Sequence, residues 1–210
     1  MLQDSFGRVH DYLRISLTDH CNFRCSYCMP VEEMEWMPQS KLMSAQEIVK
    51  LAEIFVSLGV KKIRLTGGEP LVRKDFGQIL EELARLPVEL TMTTNGILVP
   101  QYLEALKKAG VRSINVSLDT LQPEKFFKLT RRDQFAQVWT NILLLLQEGF
   151  RVKINAVAMQ GQIEEELIDF VRLTRELPLH VRFIEFMPFT GNHWQAKQVI
   201  TAAQMLAWVK

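Results

Sequence analysis

The sequence predicts an α/β fold, a partial (β/α)6 barrel of parallel strands forming one domain over residues 1–210. Three observations predict it. Short β-branched runs alternate with segments whose apolar residues recur at helical spacing. Each run is followed by a helical segment, and strict alternation of this kind implies parallel strands joined by right-handed crossovers. Polar residues gather at the C-terminal ends of nearly every run: Thr18-Asp19, Thr66-Gly67-Gly68-Glu69, Thr93-Thr94-Asn95-Gly96, Ser117 with Asp119, and Glu185. A barrel brings all such ends to one mouth, whereas an open doubly wound sheet concentrates function at one switch point. Contributions from most strands therefore favour the barrel.

The elements follow in order. Leu13–Thr18 is the first strand. Ala45–Leu58 carries Ile48, Leu51, Ala52, Phe55 and Leu58 on one stripe, and Ser44 with Glu47 forms a capping box that starts this helix. Lys62–Thr66 is the second strand, followed by a helix over Phe76–Leu86 with Ile79, Leu80, Leu83 and Leu86 in register. Glu89–Thr94 pairs with a helix at Tyr102–Ala109, and Ser113–Leu118 with a helix at Phe135–Gln147. Val152–Met159 precedes a helix at Glu165–Leu177, and Val181–Met187 precedes a last helix near Thr201–Val209. Gly59, Gly110 and Gly149 stand just past helix ends, where a left-handed residue is needed. Pro178 stops the helix before it. No linker, low-complexity stretch or tandem repeat interrupts the pattern.

Composition removes several function classes. Hydrophobic residues are 48% and charged residues 23%, an ordinary globular mix. The net charge of +1 offers no basic field for nucleic acid. Apolar runs such as Ile142–Leu146 are too short to span a bilayer, and Met1-Leu2-Gln3-Asp4 lacks a signal pattern, so a cytoplasmic protein is expected.

All three cysteines fall in one loop after the first strand: Cys21, Cys25 and Cys28. An odd count argues against a disulfide framework. Three thiolates in one loop can converge on a metal centre. One alternative is structural zinc with His20 as fourth ligand, although adjacency to Cys21 makes an awkward tetrahedral bite. The other is a [4Fe-4S] cluster, in which three cysteines leave one iron open to a substrate or cofactor. His10, His180 and His193 are unclustered and are assigned to no metal.

The spacing Cys21-x3-Cys25-x2-Cys28, with the aromatic Tyr27 before the last cysteine, resembles the radical S-adenosylmethionine superfamily. The segments Asp4-x-Phe6-Gly7-Arg8, Tyr12–Cys25, Ile63–Pro70, Thr93–Gly96, Asn115–Asp119 and Arg182–Met187 are similar, in order, to the GTP 3′,8-cyclase family, which opens molybdenum cofactor biosynthesis. The resemblance implies a radical S-adenosylmethionine barrel and a lyase that converts GTP to its 3′,8-cyclised product. It implies one [4Fe-4S] cluster on Cys21, Cys25 and Cys28, and S-adenosylmethionine near Tyr27, Gly68, Ser117 and Met187; a strand edge at the Gly67-Gly68 turn could meet its amino group, with Glu69 as charge partner. It further implies GTP as substrate, held by Arg14, Arg64, Thr93 and Lys153, with an electron donor as partner; a homodimer is compatible. The family carries a second three-cysteine motif that this sequence lacks. The chain ends at Lys210 inside a helical pattern, so a fragment with incomplete cyclisation is expected.

The basic residues agree with a polyanion. Arg14, Lys62, Arg64, Lys153 and Arg182 all lie within strands, where an unpaired inward charge is costly. The competing reading has them pairing with Asp119 and Glu185 at the rim. No Gly-x4-Gly-Lys-Ser/Thr phosphate loop is present, so strand-borne cations would hold a nucleotide. Arg131-Arg132 is expected as a solvated pair. A peptide-modifying radical enzyme and a zinc-stabilised binding barrel are the rival functions; a peptide substrate has no need of Arg14, Arg64 and Lys153.

Overall fold

Strands and helices alternate along the chain in the computed structural model, which describes residues 2–28, 36–188, 192 and 194–209. The strands are β1 (Tyr12–Ser16), β2 (Lys62–Thr66), β3 (Glu89–Thr94), β4 (Ser113–Ser117), β5 (Arg151–Ala158) and β6 (Leu179–Glu185). The helices are α1 (Ala45–Ser57), α2 (Phe76–Leu83), α3 (Val99–Lys108), α4 (Pro123–Thr130), α5 (Phe135–Gln147), α6 (Leu167–Glu176) and α7 (Ala202–Val209). One sheet holds the strands in the order β1-β2-β3-β4-β5-β6. Pairing is parallel between β1 and β2, β2 and β3, and β5 and β6. Sequential order is that of a partial (β/α)6 barrel; a doubly wound sheet would reverse direction at a switch point.

Local signals account for the element ends. At the start of α1, Ser44 N donates to Glu47 Oε2 at 2.7 Å and Glu47 N donates to Ser44 Oγ at 3.2 Å, the reciprocal capping box. Gly59, Gly110 and Gly149 adopt φ of 105°, 73° and 78° just past α1, α3 and α5. Leu177 is extended before Pro178, which closes α6.

Element ends shift by up to three residues from the sequence pattern, as where α3 starts at Val99 and α2 stops at Leu83, and larger differences lie around α4 and after β6. Helix α4, unread in the sequence, begins with Pro123 in its first turn and ends at Arg131, whose φ is 56°. Arg131 is thus a helix cap, and both it and Arg132 are half-buried rather than solvated. Arg132 N donates to Thr130 Oγ1 at 3.2 Å. Strand β6 starts two residues early at Leu179 and stops at Glu185, leaving Phe186 and Met187 beyond it.

Contacts gather in two compact units: Met1–Asn22, Glu35–Thr94 and Leu98–Ile114 form one, and Phe23–Met34, Asn95–Ile97 and Asn115–Lys210 the other. The first buries Ile48, Ile63, Phe76, Ile79, Leu83 and Leu106 completely. The second does the same with Val138, Ile142, Leu145, Ile154 and Phe170. Strand β5 shows the pleat most clearly: Val152, Ile154, Ala156 and Ala158 are buried, while Lys153, Asn155 and Val157 are half-buried on the other face.

In the first unit one side chain ties three segments. The Arg73 guanidinium, 10% exposed, donates to Leu17 O at 2.7 Å, Met43 O at 2.6 Å and Asp75 Oδ1 at 2.6 Å. It thereby fixes the end of β1 against the start of α1. These bonds hold the Asp75 carboxyl below its ordinary range. That contribution is present at neutral pH and is lost as pH falls through the folded value. Arg73→Ala is expected to lower unfolding free energy by about 1.5–3 kcal/mol and to flatten the acid limb of the stability profile. Urea denaturation between neutral and acid pH measures both.

Candidate functional site

The first unit carries the end of β1 and the turn that leaves β2. Leu17 N donates to Thr66 O at 2.8 Å, Gly68 N to Thr18 O at 2.6 Å, and Glu69 N to His20 O at 2.7 Å. The β2 turn therefore zips along the residues leading into Cys21. Only glycine permits this. A Cβ on Gly67 would lie 2.5 Å from Thr18 O, and one on Gly68 would collide with the backbone oxygens of Asp19 and His20. The Gly-Gly pair serves first as a seat for the β1 loop. Glu69 is 1% exposed, and its Oε1 accepts from Leu71 N at 3.1 Å and Thr94 Oγ1 at 2.8 Å.

Beyond that zip, His20 stacks on Trp36 at 4.8 Å between centroids, and Asp19 Oδ2 accepts from Met37 N at 2.6 Å. Cys21 is half-buried and lines a cavity of about 1130 Å³ together with Trp36, Met37, Arg73 and Lys74.

The cations of this unit divide by role. Arg14 is exposed on β1, in register with Arg64 on β2. Arg64 is 8% exposed, and its guanidinium is engaged: Nε donates to Tyr12 Oη at 2.5 Å, and Nη1 to Met92 O at 2.8 Å and Thr93 Oγ1 at 3.4 Å. Its Nη2 takes part in none of these bonds. Lys62 pairs with Glu89 at 3.1 Å, which accounts for its place at the strand start without a ligand.

The second unit carries the remainder of the cysteine loop. Arg24 N donates to Thr130 O at 3.0 Å and Ser26 N to Leu129 O at 2.8 Å, so the end of α4 straps the loop backbone. Cys25 is half-buried and Cys28 exposed, with Cys28 N donating to Cys25 O at 2.9 Å. Between them Tyr27 points inward. It packs against Leu129, Met159 and Phe186, and its hydroxyl donates to Asp119 Oδ2 at 2.7 Å. The other Asp119 oxygen accepts from Val157 N at 2.8 Å. Burial raises the Asp119 carboxyl above its ordinary range against the pull of these two bonds, and burial followed by the Asp119 charge pushes the Tyr27 phenol well up.

Ser117 is half-buried at the end of β4, and Met187 is exposed just past β6. Asn192 Nδ2 holds the Met187 carbonyl at 3.0 Å. Lys153 is half-buried on β5 and Arg182 exposed on β6. Among the described residues Asp119 and Glu185 do not take the competing role of rim partners: Asp119 accepts from Tyr27 and Val157 N, while Glu185 Oε1 accepts from Ala202 N at the start of α7. Two acceptors were not anticipated. Asn115 Oδ1 on β4 and Asn155 Oδ1 on β5 are buried without a hydrogen-bond partner, which buried polar atoms rarely tolerate. Applying the inward-facing argument to neutral residues as well as cations would have found them.

Among the described residues no three His, Cys, Asp or Glu side chains converge to hold a metal ion. His20 therefore belongs to no preformed zinc cluster among the described residues. The donor set itself fits an iron–sulfur cluster: three thiols, none in a disulfide. His193 lies outside the described residues. No helix among them is long and apolar enough to cross a membrane.

A family model described as the Radical SAM superfamily matches residues 15–174. The chain is 52% identical over 209 residues to the mitochondrial GTP 3′,8-cyclase of Arabidopsis thaliana, covering 98% of this chain and 54% of that protein. It is 47% identical over 200 residues to the GTP 3′,8-cyclase of Petrotoga mobilis, covering 91% of this chain and 62% of that protein. The fold is similar to that of Streptococcus suis SuiB bound to S-adenosylmethionine, with a TM-score of 0.76 at 20% identity over 95% of this chain and 46% of that one. The chain thus spans about half the length of the Arabidopsis relative it matches.

The Gly68 seat is testable without any ligand. Gly68→Ala is expected to destabilise the chain by about 1–3 kcal/mol, because backbone must move to admit the Cβ. Chemical denaturation of the unloaded chain measures it, and an unchanged midpoint would contradict the seat.

Proposed function

We infer the function from one premise: the chain belongs to the Radical SAM superfamily, whose members use S-adenosylmethionine with an iron–sulfur cluster. We propose that it performs the radical chemistry of a GTP 3′,8-cyclase, the entry step to molybdenum cofactor. The observation that carries this reading is identity of 52% along nearly the whole chain to a protein of that name. The family match runs through both compact units, which supports reading them as one domain.

In this reading Cys21, Cys25 and Cys28 hold three irons of one [4Fe-4S] cluster and leave the fourth iron for S-adenosylmethionine. When bound, the cluster supplies the electron that cleaves S-adenosylmethionine reductively and so opens radical chemistry on GTP; an external donor provides that electron. Tyr27, Gly68, Glu69, Ser117 and Met187 would surround S-adenosylmethionine. The unpaired amide oxygens of Asn115 and Asn155 support a bound molecule bearing hydroxyl or amine donors. Arg14, Arg64, Thr93 and Lys153 would hold the triphosphate, with Arg182 as a weaker candidate; the Glu89 pair takes Lys62 out of that set. Arg64 is preset by Tyr12, Met92 and Thr93, so little side-chain entropy is lost when its remaining donors meet phosphate. The chain's contribution is proximity and exclusion of water around the reacting atoms. Three thiols outside any disulfide suit a reducing compartment such as the cytoplasm.

Anaerobic reconstitution tests the cluster: about four iron and four sulfide per chain are expected, with Cys25→Ala losing most of both. A zinc-only chain would overturn the reading. The two arginines should separate. Arg14→Ala is expected to weaken GTP binding by about tenfold with unchanged stability, since Arg14 is exposed. Arg64→Ala should weaken binding and lower the denaturation midpoint together, because it also removes bonds within the sheet. Equal GTP affinity in Arg14→Ala and the parent would count against the substrate assignment.

A further inference from the structure

The part of the cysteine loop in the second unit lies outside helices and strands, yet it must present its thiols in a set geometry. Two backbone bonds strap it to the end of α4, from Arg24 N to Thr130 O and from Ser26 N to Leu129 O. A third, from Cys28 N to Cys25 O at 2.9 Å, closes the turn from Cys25 to Cys28. The Tyr27 side chain anchors that turn to the rest of the unit. Its ring is wedged edge-on against Phe186, with centroids 6.4 Å apart, and its hydroxyl meets Asp119 Oδ2 at 2.7 Å.

Asp119 is in turn held rigidly. It lies two residues past β4, is 9% exposed, and its second oxygen accepts from Val157 N near the end of β5. Among the described residues no cation pairs with it; its partners are a phenol and a backbone amide. Burying a carboxylate without a cation is costly. A merely structural link between β4 and β5 could be made by a neutral hydroxyl or amide. What a carboxylate adds is a strong acceptor that takes a phenol proton and a backbone proton on two oxygens at once.

We propose that Asp119 is a positioning residue for the cysteine loop: through the Tyr27 hydroxyl it fixes the turn between Cys25 and Cys28 before any metal arrives. The proposal rests on the reading of these cysteines as cluster ligands. Residues that orient ligands without touching the metal are known to govern metal affinity. Here the orienting group acts on the residue between two ligands rather than on a ligand itself.

The test uses the whole chain carrying Asp119→Asn, Tyr27→Phe, or both. Asp119→Asn keeps an amide oxygen for Val157 N. Tyr27→Phe keeps the ring and removes only the hydroxyl, so it retains the Asp119 contact to β5. In the unloaded chain, amide hydrogen exchange over residues 23–28 is expected to rise at least about threefold in either single variant, with exchange around Val157 unchanged. The double variant should go no further than Tyr27→Phe alone, since residue 119 acts on the loop through that hydroxyl. After anaerobic reconstitution, a chelator should strip iron about tenfold faster from each variant than from the parent.

Silence of Tyr27→Phe in exchange and in iron loss overturns the proposal, as does a double variant whose effect is the sum of the two. Loosening of β5 equal to that of the loop in Asp119→Asn, with Tyr27→Phe silent, makes Asp119 a strut of the sheet and also overturns it. If the parent chain itself takes up no iron, the cluster reading falls, and the exchange data alone still decide whether Asp119 sets the loop.

Discussion

Two backbones can run side by side at the ends of β1 and β2 only because no Cβ stands at residues 67 and 68. Everything placed by the β1 loop follows from that contact. The bonds from Gly68 N and Glu69 N to Thr18 O and His20 O leave the loop no freedom until it has passed His20. Cys21 therefore departs from a fixed point. The same turn delivers Glu69 into the core, where it can be buried because a hydroxyl and an amide supply its protons. Arg73, a few residues further, closes the arrangement from the other side by gripping Leu17 O and Met43 O.

The charged residues of the strands obey a division set by burial. Arg64 lies inside and is hydrogen-bonded on two of its nitrogens. Lys62, at the open end of the same strand, meets Glu89 across the β2–β3 register. Arg14 stays exposed and needs no partner. Buried carboxylates divide differently. Asp119 relies on a hydroxyl and an amide donor, whereas Glu166 adds Lys125 of α4 at 3.1 Å to its bonds from Thr120 and Leu121.

The sequence by itself determined the alternating elements, their parallel order and the cysteine triplet. Each of these is local: periodicity, a capping box at Ser44, glycines at 59, 110 and 149, and three thiols at close spacing survive any change in the rest of the chain. Helix α4 was equally local but short, and Pro123 in its first turn was the missed signal. Tertiary structure alone decided which acceptor meets which donor. Tyr27 and Asp119 are 92 residues apart, and nothing in either neighbourhood specifies the other. The same holds for Arg64 with Tyr12, and for the two asparagine oxygens left without partners on β4 and β5. The reason is physical: a strand's pleat sets which face a side chain takes, but its partner depends on how neighbouring strands and loops come together, and that is settled by packing over long sequence distances.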